Sequence, residues 1–179
     1  MKLSQATQKF ILHWGEMGTR WGINRTVAQI HALLYVSPQP LNAEEITETL
    51  TLARSNVSNS LRELQTWGLV KIVHLFGDRR DHFESLKDVW EMFRLVLDQR
   101  KKREVDPTVT LLRECMANLE KNEPADAYTK QRLSEMLEFF ESSMNYYEDI
   151  HRLPSSSWKK LAKISGKVQK LLGFIGSKK

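Results

Sequence analysis

Three stretches decide the fold of this chain: Ala53-Arg54-Ser55-Asn56-Val57-Ser58-Asn59-Ser60-Leu61-Arg62-Glu63-Leu64, then Gly68-Leu69-Val70-Lys71-Ile72-Val73, then Gly77-Asp78-Arg79-Arg80-Asp81. The first has apolar residues every three to four positions, which predicts an amphipathic helix. The second is rich in β-branched residues and predicts a strand. The third is a turn with two arginines, after which Asp81-His82-Phe83-Glu84 can return as a second strand.

A second helix is predicted immediately before these stretches. Asn42 suits the N-cap position, and Glu45, three residues on, completes a capping box for a helix over residues 43–50. Thr51-Leu52-Ala53 is the expected turn, and Gly68 suits the end of the following helix at 54–67. Residues 41–84 therefore predict a helix-turn-helix followed by a basic β-hairpin, which we call the wing.

The rest of the chain is predicted to be helical. Apolar spacing predicts helices at 4–20, 25–36, 86–103, from Pro107 onward, 127–151 and 158–173, with a break at 123–126. The expected fold is mainly α with a small β-wing. We expect three regions: an N-terminal helix of a dimer scaffold (1–21), a winged helix-turn-helix domain (22–86), and a helical dimerisation and effector region with a basic C-terminal helix (87–179).

Composition limits the class of protein. Hydrophobic residues make up 41% and charged residues 27%, as in globular proteins. No apolar run approaches the roughly 20 residues of a membrane span, and the N-terminus lacks the apolar core of a secretion signal. The single cysteine, Cys115, fits a reducing cytoplasm. The net charge of +5 favours a polyanionic partner, though only weakly.

The outer face of the second helix of the motif carries the residue types that contact DNA. Asparagine can pair with adenine and arginine with guanine, whereas serine more often holds phosphate. In the wing, arginines can reach the DNA backbone or a narrow minor groove, and Asp78 or Asp81 can bond the wing backbone or orient an arginine. The predicted DNA-binding residues are Arg54, Ser55, Asn56, Ser58, Asn59 and Arg62 on the helix, with Arg79 and Arg80 on the wing.

One position departs from the expected pattern. Ala53 precedes the helix but is a poor N-cap, and Ser55 is an alternative cap for a shortened helix. A polar helix face can also be ordinary solvated surface. The order helix, turn, helix, glycine and basic hairpin favours double-stranded DNA as the partner, and a winged helix that binds another protein is the alternative.

These segments resemble the MarR-type winged-helix regulators, most of all their GbsR-like branch. The similarity lies in residues 56–64, in Trp67-Gly68-Leu69-Val70, and in the Gly-Asp-Arg-Arg wing followed by Phe83 and a helix with Trp90. It implies a homodimeric repressor or activator, with repression favoured, on a pseudo-palindromic operator. It also implies that residues 54–62 form the recognition surface and Arg79–Arg80 the wing tip.

Residues that could form an effector, redox, metal or catalytic site also suit structural roles. Some GbsR-like regulators sense quaternary ammonium compounds, which bind in aromatic cages. The aromatic residues here also suit a core or a dimer contact; they are Trp14, Trp21, Tyr35, Trp67, Trp90, Phe139, Phe140, Tyr146 and Tyr147. Cys115 suits a structural role rather than redox sensing. Histidine spacing predicts no metal site, no motif predicts an enzyme, and no cofactor is expected.

The end of the chain is a predicted basic amphipathic helix that begins near Trp158. Residues 154–179 contain seven lysines and no acidic residue. The helix can pack into a dimer interface, add DNA backbone contacts, or lie on an anionic membrane surface. The dimer interface is the favoured alternative.

Overall fold

The computed structural model of the protein describes residues 3–122 and 127–152. The predicted break at 123–126 and the predicted basic helix at 158–173 lie outside these residues. The chain divides into two compact units, residues 1–95 and 96–179, and we describe each by itself. Within the described ranges, no helix has both the length and the apolar character needed to cross a membrane.

The first unit contains the predicted helix-turn-helix and wing. Its elements agree with the sequence prediction to within about one or two residues at most boundaries. In chain order they are α1 (Gln5–Arg20), α2 (Arg25–Val36), β1 (Leu41–Asn42), α3 (Ala43–Leu50), α4 (Arg54–Thr66), β2 (Val70–Val73) and β3 (His82–Ser85), followed by the start of α5 (Val89–Arg100).

The capping box that begins α3 is present as predicted. The Asn42 side chain accepts hydrogen bonds from the backbone N–H groups of Glu44 and Glu45, each at 3.0 Å. The Glu45 carboxylate accepts one from the Asn42 backbone N–H at 2.8 Å. At the far end of α4, Gly68 adopts the left-handed conformation, with φ +73°, that a helix-ending glycine favours.

The face that α1 turns to α2 differs from the predicted apolar stripe. A Cβ added to Gly18 would lie 2.6 Å from the Cβ of Ala28, so the two backbones approach closely. The buried residues of α1 are Ile11, Gly15 and Gly18. Helical spacing in this segment predicts an apolar stripe of Phe10, Trp14, Met17 and Trp21 with Ile11 beside it. Ile11 is buried, but Phe10, Trp14 and Met17 are only half-buried and Trp21 is exposed. Helical spacing identified the apolar residues, but two glycines decide the packing face.

A three-stranded antiparallel sheet supports the wing, in the order β1-β3-β2. Phe83 of β3 lies opposite Leu41 on one side and Ile72 on the other. The hairpin β2–β3 was predicted. The two-residue strand β1 was not assigned, because it is too short to show alternation and immediately precedes a helix cap.

Lys87 joins the end of the wing to the end of α2. Its ammonium donates to the backbone carbonyls of Leu34 at 2.8 Å, Tyr35 at 2.9 Å and Ser37 at 2.9 Å. The last carbonyls of a helix have no partner within the helix, so a lysine at this end satisfies them. Its positive charge also interacts favourably with the negative end of the helix dipole. Partial burial lowers the pKa of Lys87.

The second unit shows how the chain accommodates Pro107. We predicted a helix to residue 103 and a new one from Pro107. The backbone instead stays helical, because a π-helical segment (Lys101–Val105) joins α5 to α6 (Asp106–Asn122). Pro107 cannot donate to the carbonyl four residues earlier, and the wider turn accommodates this lost bond. The next helix, α7 (Ala127–His151), matches the prediction, and Arg113 of α6 pairs with Glu141 of α7 at 2.8 Å.

Candidate nucleic-acid interface

The two faces of α4 differ as the sequence predicts. Its buried side consists of Val57, Ser60, Leu61 and Leu64. All six predicted contact residues on this helix are exposed: Arg54, Ser55, Asn56, Ser58, Asn59 and Arg62. The apolar side holds the helix against the unit, so its polar side is presented outward over about three turns. Such a face can be inserted into a groove without disturbing the core.

The backbone at the start of α4 shows which residue is the N-cap of this helix. Ala53 has extended backbone angles, φ −66° and ψ 137°, and is the N-cap without a side-chain hydrogen bond. The alternative in which Ser55 caps a shortened helix is wrong, because the helix already begins at Arg54. The backbone N–H groups of the first turn thus have no capping side chain, which leaves them to water or to a bound anion.

The carboxylate of Asp78 holds Arg80 in place within the wing. Asp78 accepts hydrogen bonds from the guanidinium of Arg80, with Nη2 to Oδ2 at 2.6 Å and Nε to Oδ1 at 3.0 Å. It also accepts the Arg80 backbone N–H at 3.0 Å. These bonds hold the pKa of Asp78 well below its ordinary value. The prediction that Asp78 orients an arginine is therefore confirmed.

Glu44 links the wing to α4. One of its carboxylate oxygens lies 3.3 Å from Nη1 of Arg80, and the other lies 3.6 Å from Nη1 of Arg54. Together with Asp78, it raises the pKa of the Arg80 guanidinium above its ordinary value. Two of the predicted DNA-binding arginines thus share an acidic partner within the protein; Arg80 is hydrogen-bonded to it, and Arg54 lies within ion-pair distance.

Sequence reasoning did not identify Glu44 as part of this surface. An acidic residue in the first turn of a helix is ordinary, because it opposes the helix dipole. Its contacts reach residues ten and thirty-six positions away, and neither spacing is a helical or strand period. Only the folded arrangement of α3, α4 and the wing brings the three side chains together.

The two wing arginines have different surroundings. Arg79 is exposed and forms no side-chain ion pair among residues 3–122 and 127–152. Arg80 is held by Asp78 and Glu44. Phe76 of the same turn is fully exposed, with a relative accessibility of 109%. The resemblance implied Arg79–Arg80 as the wing tip; Phe76 lies in the turn that the sequence predicts at residues 76–80, but no role was predicted for it.

Two of the aromatic residues proposed for an effector cage, Tyr35 and Tyr147, already have partners within the protein. Lys87 lies 5.9 Å from the ring centre of Tyr35, so a cation of the protein already contacts that ring. In the second unit, a cavity of about 300 Å³ includes one aromatic residue, Tyr147, in its lining. Asp98 there accepts hydrogen bonds from the Tyr147 hydroxyl and from Nε2 of His151 at 3.0 Å. Charged groups therefore dominate this cavity.

Two further predictions concern the role of Cys115 and the presence of a metal site. Cys115 is half-buried on α6 and forms no disulfide. Among the described residues, no group of three or more histidine, cysteine, aspartate or glutamate side chains is arranged to hold a metal ion.

Comparisons with known proteins agree with this geometry. Residues 21–81 match the model of the MarR family. The chain is 27% identical over 157 residues to the HTH-type transcriptional repressor GbsR of Bacillus subtilis (strain 168), covering 86% of this chain and 87% of that protein. It is 19% identical over 136 residues to the HTH-type transcriptional repressor OpcR of the same organism, covering 74% of each.

A solved structure supports the fold. A crystal structure of a transcriptional regulator superposes with a TM-score of 0.63 at 20% sequence identity, covering 82% of this chain and 95% of that one. The matched family is one of transcriptional regulators rather than enzymes. With residues 21–81 matching that family and the similarity to GbsR extending over most of the chain, the comparisons support a MarR-type winged-helix regulator of the GbsR-like branch.

Proposed function

We propose that this protein is a sequence-specific DNA-binding repressor that acts as a homodimer on a pseudo-palindromic operator. The observation that carries the proposal is the exposed polar face of α4, because all six candidate contact residues lie on it while its apolar side is buried. The names of the similar Bacillus proteins support repression rather than activation.

The roles of the contact residues follow from their chemistry. Asn56, Asn59 and Arg62 are exposed along α4 and can make paired hydrogen bonds to base edges in a major groove. Ser55 and Ser58 suit phosphate contacts, which set the register of the helix on the DNA. The uncapped first turn of α4 adds backbone donors for a phosphate at the same end.

Arginines at the edges of α4 and in the wing supply charge. Arg79 has no acidic partner among the described residues and is proposed to contact the DNA backbone directly. Arg54 and Arg80 are proposed to do so from positions fixed by Glu44 and, for Arg80, by Asp78. Arg54 and Arg80 are then oriented before binding, which reduces the side-chain entropy lost in the complex.

The dimer is proposed to use the regions around the winged helix. Residues 1–21 and 87–179 are its scaffold, and residues 22–86 are the DNA-binding domain. The half-buried aromatic side of α1, where Phe10 and Trp14 lie 5.5 Å apart, suits such a contact. Two-fold symmetry would place two α4 helices roughly 34–36 Å apart, about one turn of DNA.

Selection of bound sequences from random DNA tests the proposal. We expect two inverted half-sites spaced by about one helical turn. Unselected sequences would contradict specific recognition. Affinity should also fall steeply with salt, because each neutralised phosphate releases counterions. A flat salt response would favour the alternative, in which the winged helix binds another protein.

A small-molecule effector remains part of the proposal. The resemblance to the GbsR-like branch supports a quaternary ammonium compound such as choline or glycine betaine, and the aromatic residues supply suitable ring faces. An effector would act by favouring one spacing of the two α4 helices. Calorimetry that shows no binding of either compound at millimolar concentration would refute this part alone.

A further inference from the structure

The apex of the wing presents an apolar ring to solvent. The side chain of Phe76 is fully exposed, at 109% relative accessibility, and its neighbours Leu75 and Ile72 are exposed by 39% and 40%. Single exposed apolar residues are common on protein surfaces and need no explanation. Here the exposed ring lies at the outermost turn of the wing, and the wing itself is held beside α4. This combination suggests that the ring contacts a binding partner.

The turn that carries Phe76 is well braced. Gly77 has φ +85°, a conformation that glycine adopts without strain. The Asp78 N–H donates to the Leu75 carbonyl at 3.1 Å and closes the turn. Asp78 in turn holds Arg80. The ring therefore projects into solvent from a turn whose backbone is held by these hydrogen bonds.

The charges around the ring favour a polyanionic partner. Two acidic residues of the wing are already paired within it, since Asp78 pairs with Arg80 and Glu84 with Lys71. Asp81 lies 3.9 Å from His74, which carries a charge only when it is protonated. Arg79, three residues from Phe76, keeps an exposed charge. A single ring with one adjacent cation offers little area to a membrane or an apolar protein groove. A base step flanked by phosphates suits both groups.

The position of the wing makes this partner reachable from the proposed DNA surface. The Glu44 carboxylate lies within ion-pair distance of both Arg54, at the start of α4, and Arg80 of the wing. The two elements thus form one continuous surface. If α4 enters a major groove, the wing beside its start is close enough to reach the flanking minor groove.

We propose that Phe76 is an apolar wedge that enters the minor groove beside the α4 site, partly unstacks one base step, and bends the DNA. This inference rests on the proposed function. Phenylalanine wedges of this kind act where the DNA deforms readily, which is at pyrimidine–purine steps. Phe76 would then select flanking sequence through deformability, whereas α4 selects by hydrogen bonds.

The experiment uses the full chain and a DNA duplex obtained by selection with the wild-type protein. Affinity is measured by fluorescence anisotropy, bending by energy transfer between end labels, and unstacking by 2-aminopurine placed at each flanking step. For Phe76→Ala we expect about tenfold weaker binding. The salt slope should stay unchanged, since no charge is lost, and both the bend and the 2-aminopurine signal should decrease.

Three variants separate the wedge from other causes. Ile72→Thr removes an exposed apolar residue from the body of the wing and should leave bending unchanged. Arg79→Ala should lower the salt slope by about one and keep the 2-aminopurine signal. Phe76→Leu keeps an apolar wedge and should retain most of the bend.

Two results would overturn the inference. The first is a Phe76→Ala protein that bends and unstacks DNA as the wild type does. The second is a loss of affinity accompanied by a changed salt slope and an unchanged 2-aminopurine signal, which would make Phe76 a support of the wing. Failure of the wild-type protein to select any DNA would instead refute the proposed function.

Discussion

His31 should make the folded winged helix sensitive to mild acid. It lies on α2 with 7% relative accessibility, and its Nε2 is buried without a hydrogen-bond partner among the described residues. Burial, reinforced by the nearby charge of Lys87, lowers its pKa from 6.5 to about 4. The folded protein therefore holds His31 neutral where the unfolded chain would protonate it.

The sign and size of the effect follow from this difference in pKa. Between pH 6.5 and 4 the unfolded chain binds more protons, so the free energy of unfolding falls as the pH is lowered through this window. Above pH 6.5 both states are neutral and His31 contributes nothing. A difference of about 2.5 pKa units corresponds to about 3 kcal/mol at full protonation. Most of this, about 2–3 kcal/mol, should be lost by pH 4.5.

The test compares wild type with His31→Met, which removes the titrating group but keeps an apolar side chain of similar size. Urea unfolding, followed by tryptophan fluorescence, gives the free energy of unfolding at each pH from 7.5 to 4.5. The difference between the two proteins should change by about 2–3 kcal/mol over this range. His13→Gln, at an exposed position on α1, is the matched control and should track the wild type. Parallel curves for wild type and His31→Met would refute the reasoning, as would a His31 ring that titrates near 6.5 by NMR.

Three further substitutions test the interface and its supports. Arg62→Ala should cost about 1–3 kcal/mol of DNA binding and relax the preference at one operator position; equal weakening on all sequences would mean that Arg62 contacts phosphate instead. Glu44→Gln releases the charge of Arg54, whereas Arg80 stays paired with Asp78. The salt slope on unselected DNA should therefore steepen by about one while discrimination for the selected site falls, and an unchanged slope would contradict the linking role of Glu44. Lys87→Met should lower the free energy of unfolding by about 1–2 kcal/mol because three backbone carbonyls lose their donor. Lys71→Met, which breaks an exposed ion pair, is the control and should change this free energy little. Equal losses for the two variants in denaturant titrations would argue against a stabilising role of Lys87 at the end of α2.

Local signals in the sequence predicted the motif well. The Asn42–Glu45 capping box and the helix-ending Gly68 act over three or four residues, so their chemistry can be recognised without knowing the fold. The alternation of buried and exposed positions on α4 depends only on helical period. For this reason, the helix that carries the candidate contacts was predicted nearly to its boundaries.

Features that depend on distant contacts were not predicted. Glu44 acquires its role only when the wing and α4 approach it, and Lys87 finds carbonyls some fifty residues earlier in the chain. On α1, hydrophobicity favoured the aromatic stripe, whereas the close approach of two backbones requires small residues, which a count of apolar side chains overlooks. The exposure of Phe76 contradicts the ordinary expectation that a large ring is buried.

The contact made by Lys87 has a consequence for any attempt to isolate the winged helix as a fragment. By hydrogen bonding to the Leu34 carbonyl, its ammonium closes the stretch of chain from Leu34 to Lys87 into a loop. A fragment cut after residue 86, the predicted domain boundary, would lose this closure by a single residue and expose the carbonyls at the end of α2. A fragment extended to Leu95 would retain it. The autonomy of the DNA-binding part therefore depends on a side chain just beyond its last strand.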